Sequence, residues 1–190
     1  MKIYIDADAF PNVIKDILIR ASERLNVPLV FVANKPLRFK TSANISVVLV
    51  GEGTDVADDS IAGLAQTGDL IITSDIPLAD RVVANGAFAL TPRGDLYTEG
   101  NIKDRLSMRD LLGELRGGGM LTGGPAVFGK NDRQAFANQL DSFLIRQLKI
   151  EERAKSRKPS VLSFRTLSGI QSFRYVLDTG LRRYDDYFWC

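Results

Sequence analysis

The chain has 190 residues, 45% of them hydrophobic, so it can bury a full core, and a single domain is the default organisation at this length. It contains no histidine and one cysteine, Cys190, which excludes Ser-His and Cys-His nucleophile systems, imidazole zinc sites and a disulfide framework. No apolar run reaches the roughly 18 residues of a membrane helix, so we expect neither export nor membrane insertion, but a cytoplasmic location. Any chemistry must come from carboxylates, amines, hydroxyls, arginine or metal.

The formal net charge of +2 is unevenly distributed along the chain. Residues 1–150 hold 17 Lys and Arg against 18 Asp and Glu, whereas residues 151–190 hold 8 against 5. We therefore predict one folded domain over 1–150 and a basic tail over 151–190 that is disordered or loosely packed. Part of that tail, 164–187, resembles translated short repeats found between bacterial genes, and a readthrough extension stays open as an alternative.

The first half of the chain alternates apolar runs of strand length with segments of helical period. The runs predict strands and the segments after them predict helices, with 29–32 and 45–50 interpreted as buried strands. Such alternation is typical of an α/β domain with a parallel sheet and helices on both faces. In chain order, the predicted elements are strand 3–5, a helix opened by Pro11, strands 29–32 and 45–50, helix 56–65, strand 70–72, helix 77–85 and strand 87–90.

Beyond residue 92 the strand pattern stops and two or three helices are predicted to pack on the sheet. Ser107 and Asp110 have the spacing of a capping box, which predicts a helix that begins there and ends at the glycines 117–119. After a loop at 122–125, Asn131 or Asp132 is predicted to cap a last helix.

Aspartates follow three of the predicted strands. The carboxyl ends of parallel strands share one edge of the sheet, where ligands bind in α/β folds, so these side chains can converge. Converging carboxylates repel one another, which makes an oxygen-preferring cation, Mg²⁺ or Mn²⁺, their natural partner. Such an ion supports phosphodiester hydrolysis of RNA or DNA without histidine. The candidate ligands are Asp6, Asp8, Asp55, Asp58 and Asp75.

Each aspartate also has a structural interpretation. Asp8, Asp55 and Asp58 have spacings that suit helix capping. Asp6 and Asp75 follow buried strands directly, where an unpaired carboxylate is costly, so a functional role is favoured for them. Three others are expected to be solvated, namely Asp59, Asp69 and Asp80.

Two arginines are candidates for binding phosphate. Arg93 lies in a Thr-Pro-Arg-Gly turn and Arg109 precedes Asp110, and a guanidinium group can donate two hydrogen bonds to phosphate oxygens. Either arginine could equally form a structural ion pair. The loop 122–125 could offer backbone N–H groups to an anion, but it lacks the spacing and the lysine of a Walker loop.

Seven blocks of sequence, in order, resemble the bacterial YaiI/YqxD family over about residues 1–150. The resemblance implies a three-layer PIN-like α/β domain with additional C-terminal helices, similar to metal-dependent ribonucleases. It also implies Asp6, Asp58 and Asp75 as metal ligands, with Asp8 and Asp55 as helpers. Phe10 stands where a cysteine is common in the family, so a nucleophile is not required there. The blocks are 6–12, 55–58, 72–79, 92–94, 108–110, 122–125 and 132–136.

Three functions remain open from the sequence. The leading hypothesis is a Mg²⁺- or Mn²⁺-dependent phosphodiester hydrolase, with RNA as substrate, in which Asp6, Asp58 and Asp75 hold the metal and Arg93 or Arg109 contacts the phosphate. The first alternative is an inactive PIN-like module that binds nucleic acid or nucleotide and uses the aspartates as caps. The second is a metal-dependent phosphatase for small phosphoesters, which needs a narrow pocket and no basic groove.

Overall fold

The computed structural model describes residues 1–6, 12–36, 42–51, 53, 55–118 and 127–156. Within these ranges the chain forms six strands and five helices. In chain order they are β1 (Ile3–Asp6), α1 (Asn12–Leu25), β2 (Leu29–Ala33), β3 (Ile45–Leu49), α2 (Val56–Leu64), β4 (Leu70–Ile72), α3 (Ile76–Ala84), β5 (Phe88–Leu90), β6 (Leu96–Tyr97), α4 (Ile102–Gly117) and α5 (Lys130–Ser156).

The six strands form one sheet in the order β3-β2-β1-β4-β5-β6. Every neighbouring pair is parallel except β5 and β6, which are antiparallel. β1 lies at the centre, with Ile3 paired to Leu29 of β2 on one side and to Leu70 of β4 on the other. The predicted α/β class with a largely parallel sheet is confirmed.

The two faces of the sheet carry separate hydrophobic clusters because side chains alternate along each strand. Ile3 and Ile5 belong to the cluster that includes residues of α1 and α5, such as Leu18 and Phe143. Tyr4 belongs to the other cluster, which includes residues of α2, α3 and α4: Ile61, Leu78 and Ile102, among others. This arrangement confirms the predicted three layers, with the additional C-terminal helices α4 and α5 on opposite faces.

Two strand predictions were wrong. β3 was expected to be buried, but it is one of the two edge strands, and Leu49 is 59% exposed. The pattern of apolar residues is the same for an edge strand as for a central one, so the error lies in the position in the sheet. β6 was missed because it has only two residues, and it returns antiparallel to β5 through the turn at 91–95.

The C-terminal helices begin earlier or end later than predicted. α4 begins at Ile102, and Ser107 lies inside it, where its hydroxyl donates to the carbonyl of Lys103 at 3.0 Å instead of capping the helix. The predicted end at the glycines is confirmed, since Gly118 is the C-cap. α5 continues to Ser156, past the boundary predicted at residue 150. The rest of the predicted tail, 157–190, lies outside the described residues, as does the loop 122–125.

None of the helices in the described part of the chain combines the length and the apolar character that crossing a membrane requires.

Candidate functional site

The strand order reverses between β1 and β4. From β1 the chain continues to β2 and β3 on one side, and it then returns to β4 and continues to β5 on the other side. In open parallel sheets a crevice forms at the carboxyl ends of the two strands that flank such a reversal. Asp6 is the last residue of β1, and Asp75 follows β4, which ends at Ile72. These two carboxylates therefore belong to the two strand ends that flank the crevice.

Asp75 is the N-cap of α3. Its Oδ2 accepts a hydrogen bond from the backbone N–H of Leu78 at 3.0 Å. Its own N–H donates to the hydroxyl oxygen of Thr73 at 2.9 Å, and Thr73 is buried. The bond to Thr73 holds the backbone of Asp75 and the bond to Leu78 holds its side chain, and the cap engages one of its two carboxylate oxygens. Capping and a ligand role are compatible at this residue.

Asp55 occupies the N-cap position of α2 without acting as a side-chain cap. Its backbone is left-handed, with φ 65° and ψ 0°, and its side chain makes no capping hydrogen bond. Its carbonyl accepts from the N–H of Asp59 at 2.8 Å. The capping interpretation therefore does not account for the carboxylate of Asp55. A left-handed backbone costs a residue other than glycine about 1 kcal/mol or more.

The electrostatics of Asp58 place three other carboxylates in its surroundings. The pKa of Asp58 is raised, first by partial burial and then by the negative charges of Asp75, Asp6 and Asp55, while Arg81 lowers it. Asp58 lies in the first turn of α2, so the crossover between β3 and β4 carries its carboxyl group to the edge formed by Asp6 and Asp75. Three of the five predicted ligands thus act on a fourth, Asp58, and the fifth, Asp8, lies outside the described residues.

These carboxylates do not form a closed ligand set. Within the ranges that the structure describes, no group of three or more His, Cys, Asp or Glu side chains is arranged to hold a metal ion. The chemistry of the donors nevertheless fits Mg²⁺ or Mn²⁺, because all of them are carboxylate oxygens and because their mutual repulsion favours a cation.

The three aspartates that were expected to be solvated differ from one another. Asp59 is exposed and pairs with Arg81 at 2.7 Å. Asp69 is buried, contrary to the prediction, because its carboxylate accepts from the backbone N–H groups of Lys2 at 2.7 Å and Gln66 at 3.1 Å. Asp69 precedes β4 and Asp75 follows it, so the two residues lie at opposite ends of the strand. Asp80 is mostly covered and pairs with Lys103 at 2.8 Å.

The two candidate arginines occupy different surroundings. Arg93 lies in the turn between β5 and β6, and its Nη1 donates to both carboxylate oxygens of Asp132 at 3.3 Å. It also lines a cavity that reaches Ser74, the residue before Asp75. Arg109 lies on the exposed surface of α4 and pairs with Asp110 at 3.5 Å. Of the two, Arg93 has the closer connection to the carboxylates.

Apart from Arg93, sequence reasoning missed the residues of that cavity, and it missed one further polar residue at the same edge. Asn34 directly follows β2, which pairs with β1 in a register that places Val32 opposite Asp6. A polar residue after a fully buried strand was a usable signal for Asn34. The cavity had no comparable signal, because its lining comes from separate segments such as Ser74, Thr91, Tyr97 and Phe128.

Comparisons with known sequences identify the family. A profile of the YaiI/YqxD family, described as uncharacterised, matches residues 4–146. The UPF0178 protein of Trichlorobacter lovleyi is 57% identical over 149 residues, which cover 78% of this chain and 97% of the relative. Its counterpart in Shewanella pealeana is 51% identical over 160 residues, covering 84% of this chain and 100% of the relative. No solved structure matches the chain. The chain belongs to the YaiI/YqxD family.

Proposed function

We propose that the carboxyl edge of β1 and β4 holds Mg²⁺ or Mn²⁺ and that the protein hydrolyses phosphodiester bonds, with RNA as substrate. The observation that carries the proposal is the raised pKa of Asp58, caused in part by Asp75, Asp6 and Asp55. The fold supports the proposal, because Asp6 ends β1 and Asp75 follows β4, the two strands between which the strand order reverses. That position is the usual ligand site of an open parallel sheet.

In this proposal Asp6, Asp58 and Asp75 bind the metal, and Asp8 and Asp55 support them. When bound, the ion would polarise the phosphodiester and lower the pKa of a coordinated water molecule. The described side chains do not form a closed set, so binding requires these carboxylates to move toward one another or Asp8 to complete the set.

The residues of the chain have separate tasks. The cap on Leu78 fixes the orientation of Asp75 and leaves its second oxygen for a ligand. Asp132 holds the guanidinium group of Arg93 beside the cavity, from which it can donate to phosphate oxygens. Arg109 is the second candidate for contacting phosphate, at a more distant part of the substrate.

Mn²⁺ binding to the full chain tests the metal site by calorimetry. Asp6→Asn and Asp75→Asn should each weaken binding at least about tenfold, since each removes one negative charge from the set. Asparagine caps a helix as well as aspartate does, so Asp75→Asn removes the charge and keeps the cap. Asp104→Asn, an exposed substitution in the first turn of α4, is the matched control and should bind like wild type.

Labelled single-stranded RNA then tests the reaction. We expect cleavage that requires Mn²⁺ or Mg²⁺ and that is lost in Asp6→Asn and Asp75→Asn but retained in Asp104→Asn. If the wild-type chain binds no Mn²⁺ up to millimolar concentration, the metal site is wrong. The second candidate, a PIN-like module that binds nucleic acid or nucleotide without hydrolysis, would then take its place, and the open ligand set is the observation that favours it.

A further inference from the structure

A cavity of about 310 Å³ adjoins the segment that contains Asp75. Ser74 and Ile76 line it, and these two residues flank Asp75, so one short segment contributes both to the cavity and to the carboxylate edge. The rest of the lining comes from the β5–β6 turn, from Tyr97 of β6 and from Phe128. The volume lies at the small end of the range for ligand pockets, which suits a single ring system.

Half of the residues that line the cavity are aromatic or aliphatic. Tyr97 is buried and Phe128 packs against the cluster that α1 and α5 form with the sheet, so both rings are held in place. Ile76 and Pro92 add aliphatic surface. Phe128, which is only partly buried, is the ring on which a flat heterocycle can stack, and base stacking contributes about 1–3 kcal/mol per base in nucleic-acid-binding proteins.

The polar part of the lining consists of one cation, one anion and three hydroxyl groups, the last from Ser74, Thr91 and Tyr97. Arg93 is oriented by its bonds to Asp132. Asp95 is oriented by Thr91, whose hydroxyl donates to Oδ2 of Asp95 at 3.3 Å and accepts from its N–H at 3.1 Å. The guanidinium group of Arg93 donates hydrogen bonds and the carboxylate of Asp95 accepts them. The edge of a nucleobase carries both acceptors and donors, so it can bond to both residues.

We propose that this cavity binds the base of a nucleoside whose sugar and phosphate extend toward Asp75 and Asp6. The proposal rests on the proposed function and deepens it, since it assigns a base-binding pocket to the same edge of the sheet. The ring of Phe128 in the lining is the reason for assigning a base to the cavity. Ser74 lines the cavity and Asp75 follows it in the chain, so the phosphate of a bound nucleotide would extend toward Asp75.

Binding of adenosine, guanosine, cytidine and uridine to the full chain, measured by calorimetry in EDTA, tests the pocket without metal or phosphate. At least one nucleoside should bind at least about tenfold more tightly than ribose. Ser74→Phe places a ring at the mouth of the cavity and should weaken that binding at least about tenfold. Ser74 is exposed, so the fold should tolerate the change. Ser107→Phe adds the same ring to the exposed surface of α4 and is the matched control.

A second variant, Asp95→Asn, keeps a group that can bond to Thr91 but exchanges a charged acceptor for an amide, so it should alter the order of affinities among the four nucleosides. Circular dichroism establishes that each variant is folded. The pocket is ruled out if no nucleoside binds at millimolar concentration, or if Ser74→Phe binds as the wild type does.

The failure of the pocket and the failure of the hydrolase give different results. Nucleoside binding in EDTA that Ser74→Phe abolishes, together with no Mn²⁺ binding, supports the pocket and rejects the hydrolase. If no nucleoside binds and Ser74→Phe cleaves RNA as the wild type does, the pocket is rejected. The hydrolase proposal is then still supported.

Discussion

Ionisation of Asp58 works against the folded state. Its carboxyl group is partly desolvated and faces Asp75, Asp6 and Asp55, so its pKa in the folded chain lies above the ordinary value of 3.8. Between these two pKa values the folded chain holds a proton that the unfolded chain has released. The contribution of Asp58 to stability is therefore complete below pH 3.8 and is lost as the pH rises through the raised pKa.

Asp58→Asn should remove this pH dependence. The free energy of unfolding of the variant, relative to wild type, should increase between about pH 4 and pH 7, by less than about 1 kcal/mol because the site is open to solvent. Urea unfolding at a series of pH values in EDTA measures the difference. Asp104→Asn should show no such trend, and parallel curves for Asp58→Asn and wild type would contradict the repulsion.

Single residues were only partly predictable from the sequence. Asp6 and Asp75 could be chosen because a carboxylate directly after a buried strand needs an explanation. Asp69 could not, since its burial depends on backbone N–H groups of Lys2 and Gln66 that only the folded chain brings to it. The left-handed backbone of Asp55 likewise depends on how the chain enters α2.

At the scale of elements, the turn between β5 and β6 and the helix α5 are in close contact at one glycine. Gly94 has φ 92°, and a Cβ atom there would lie 2.8 Å from the carbonyl carbon of Ala135 and 3.0 Å from the nitrogen of Phe136. These are backbone atoms of a helix that buries Phe136 and Leu140, so they cannot move aside cheaply.

Gly94→Ala should therefore lower the free energy of unfolding by on the order of 2 kcal/mol, from backbone strain and displacement of α5. Gly113→Ala is the control: it lies inside α4 with nothing within 4 Å of the added Cβ, and it should raise stability by about 0.5–1 kcal/mol. Thermal and denaturant unfolding of both variants measure the difference. Equal effects of the two substitutions would contradict the close contact.

Elements with a clear period were predictable, and elements that depend on their neighbours were not. The segments that became β1, α3 and β5 were recognised from local patterns alone. β6 is too short to have a pattern, and its pairing depends on the turn before it. The capping-box spacing of Ser107 and Asp110 occurs inside α4, where the hydroxyl bonds to the preceding turn, as serine in helices often does.

For the whole molecule, the strand order determines which parts of the sheet are protected. β1 and β4 lie between other strands and beneath helices on both faces, and Ile5 and Ile72 are inaccessible to solvent. β3 has a strand on one side only, and Val47 and Leu49 are exposed. Periodicity predicted the parallel sheet, but edge and centre depend on the order of the strands.

Amide hydrogen exchange should reveal this gradient. We expect β1 and β4 to exchange at least about tenfold more slowly than β3, since the central strands open only with the whole domain and the edge strand opens locally. Exchange followed by NMR or mass spectrometry gives the ratio. Equal protection of β3 and β1 would show that the edge is covered or that the domain opens as one unit.

The cap of α3 links the sheet edge to the stability of a helix. Oδ2 of Asp75 bonds to the N–H of Leu78, and Leu78 is buried against the sheet. Whatever turns the Asp75 side chain out of its capped orientation also breaks the bond that begins α3. By thermodynamic reciprocity, a substitution that loosens α3 weakens any ligand that needs Asp75 in its capped orientation, and that ligand tightens the helix by the same factor.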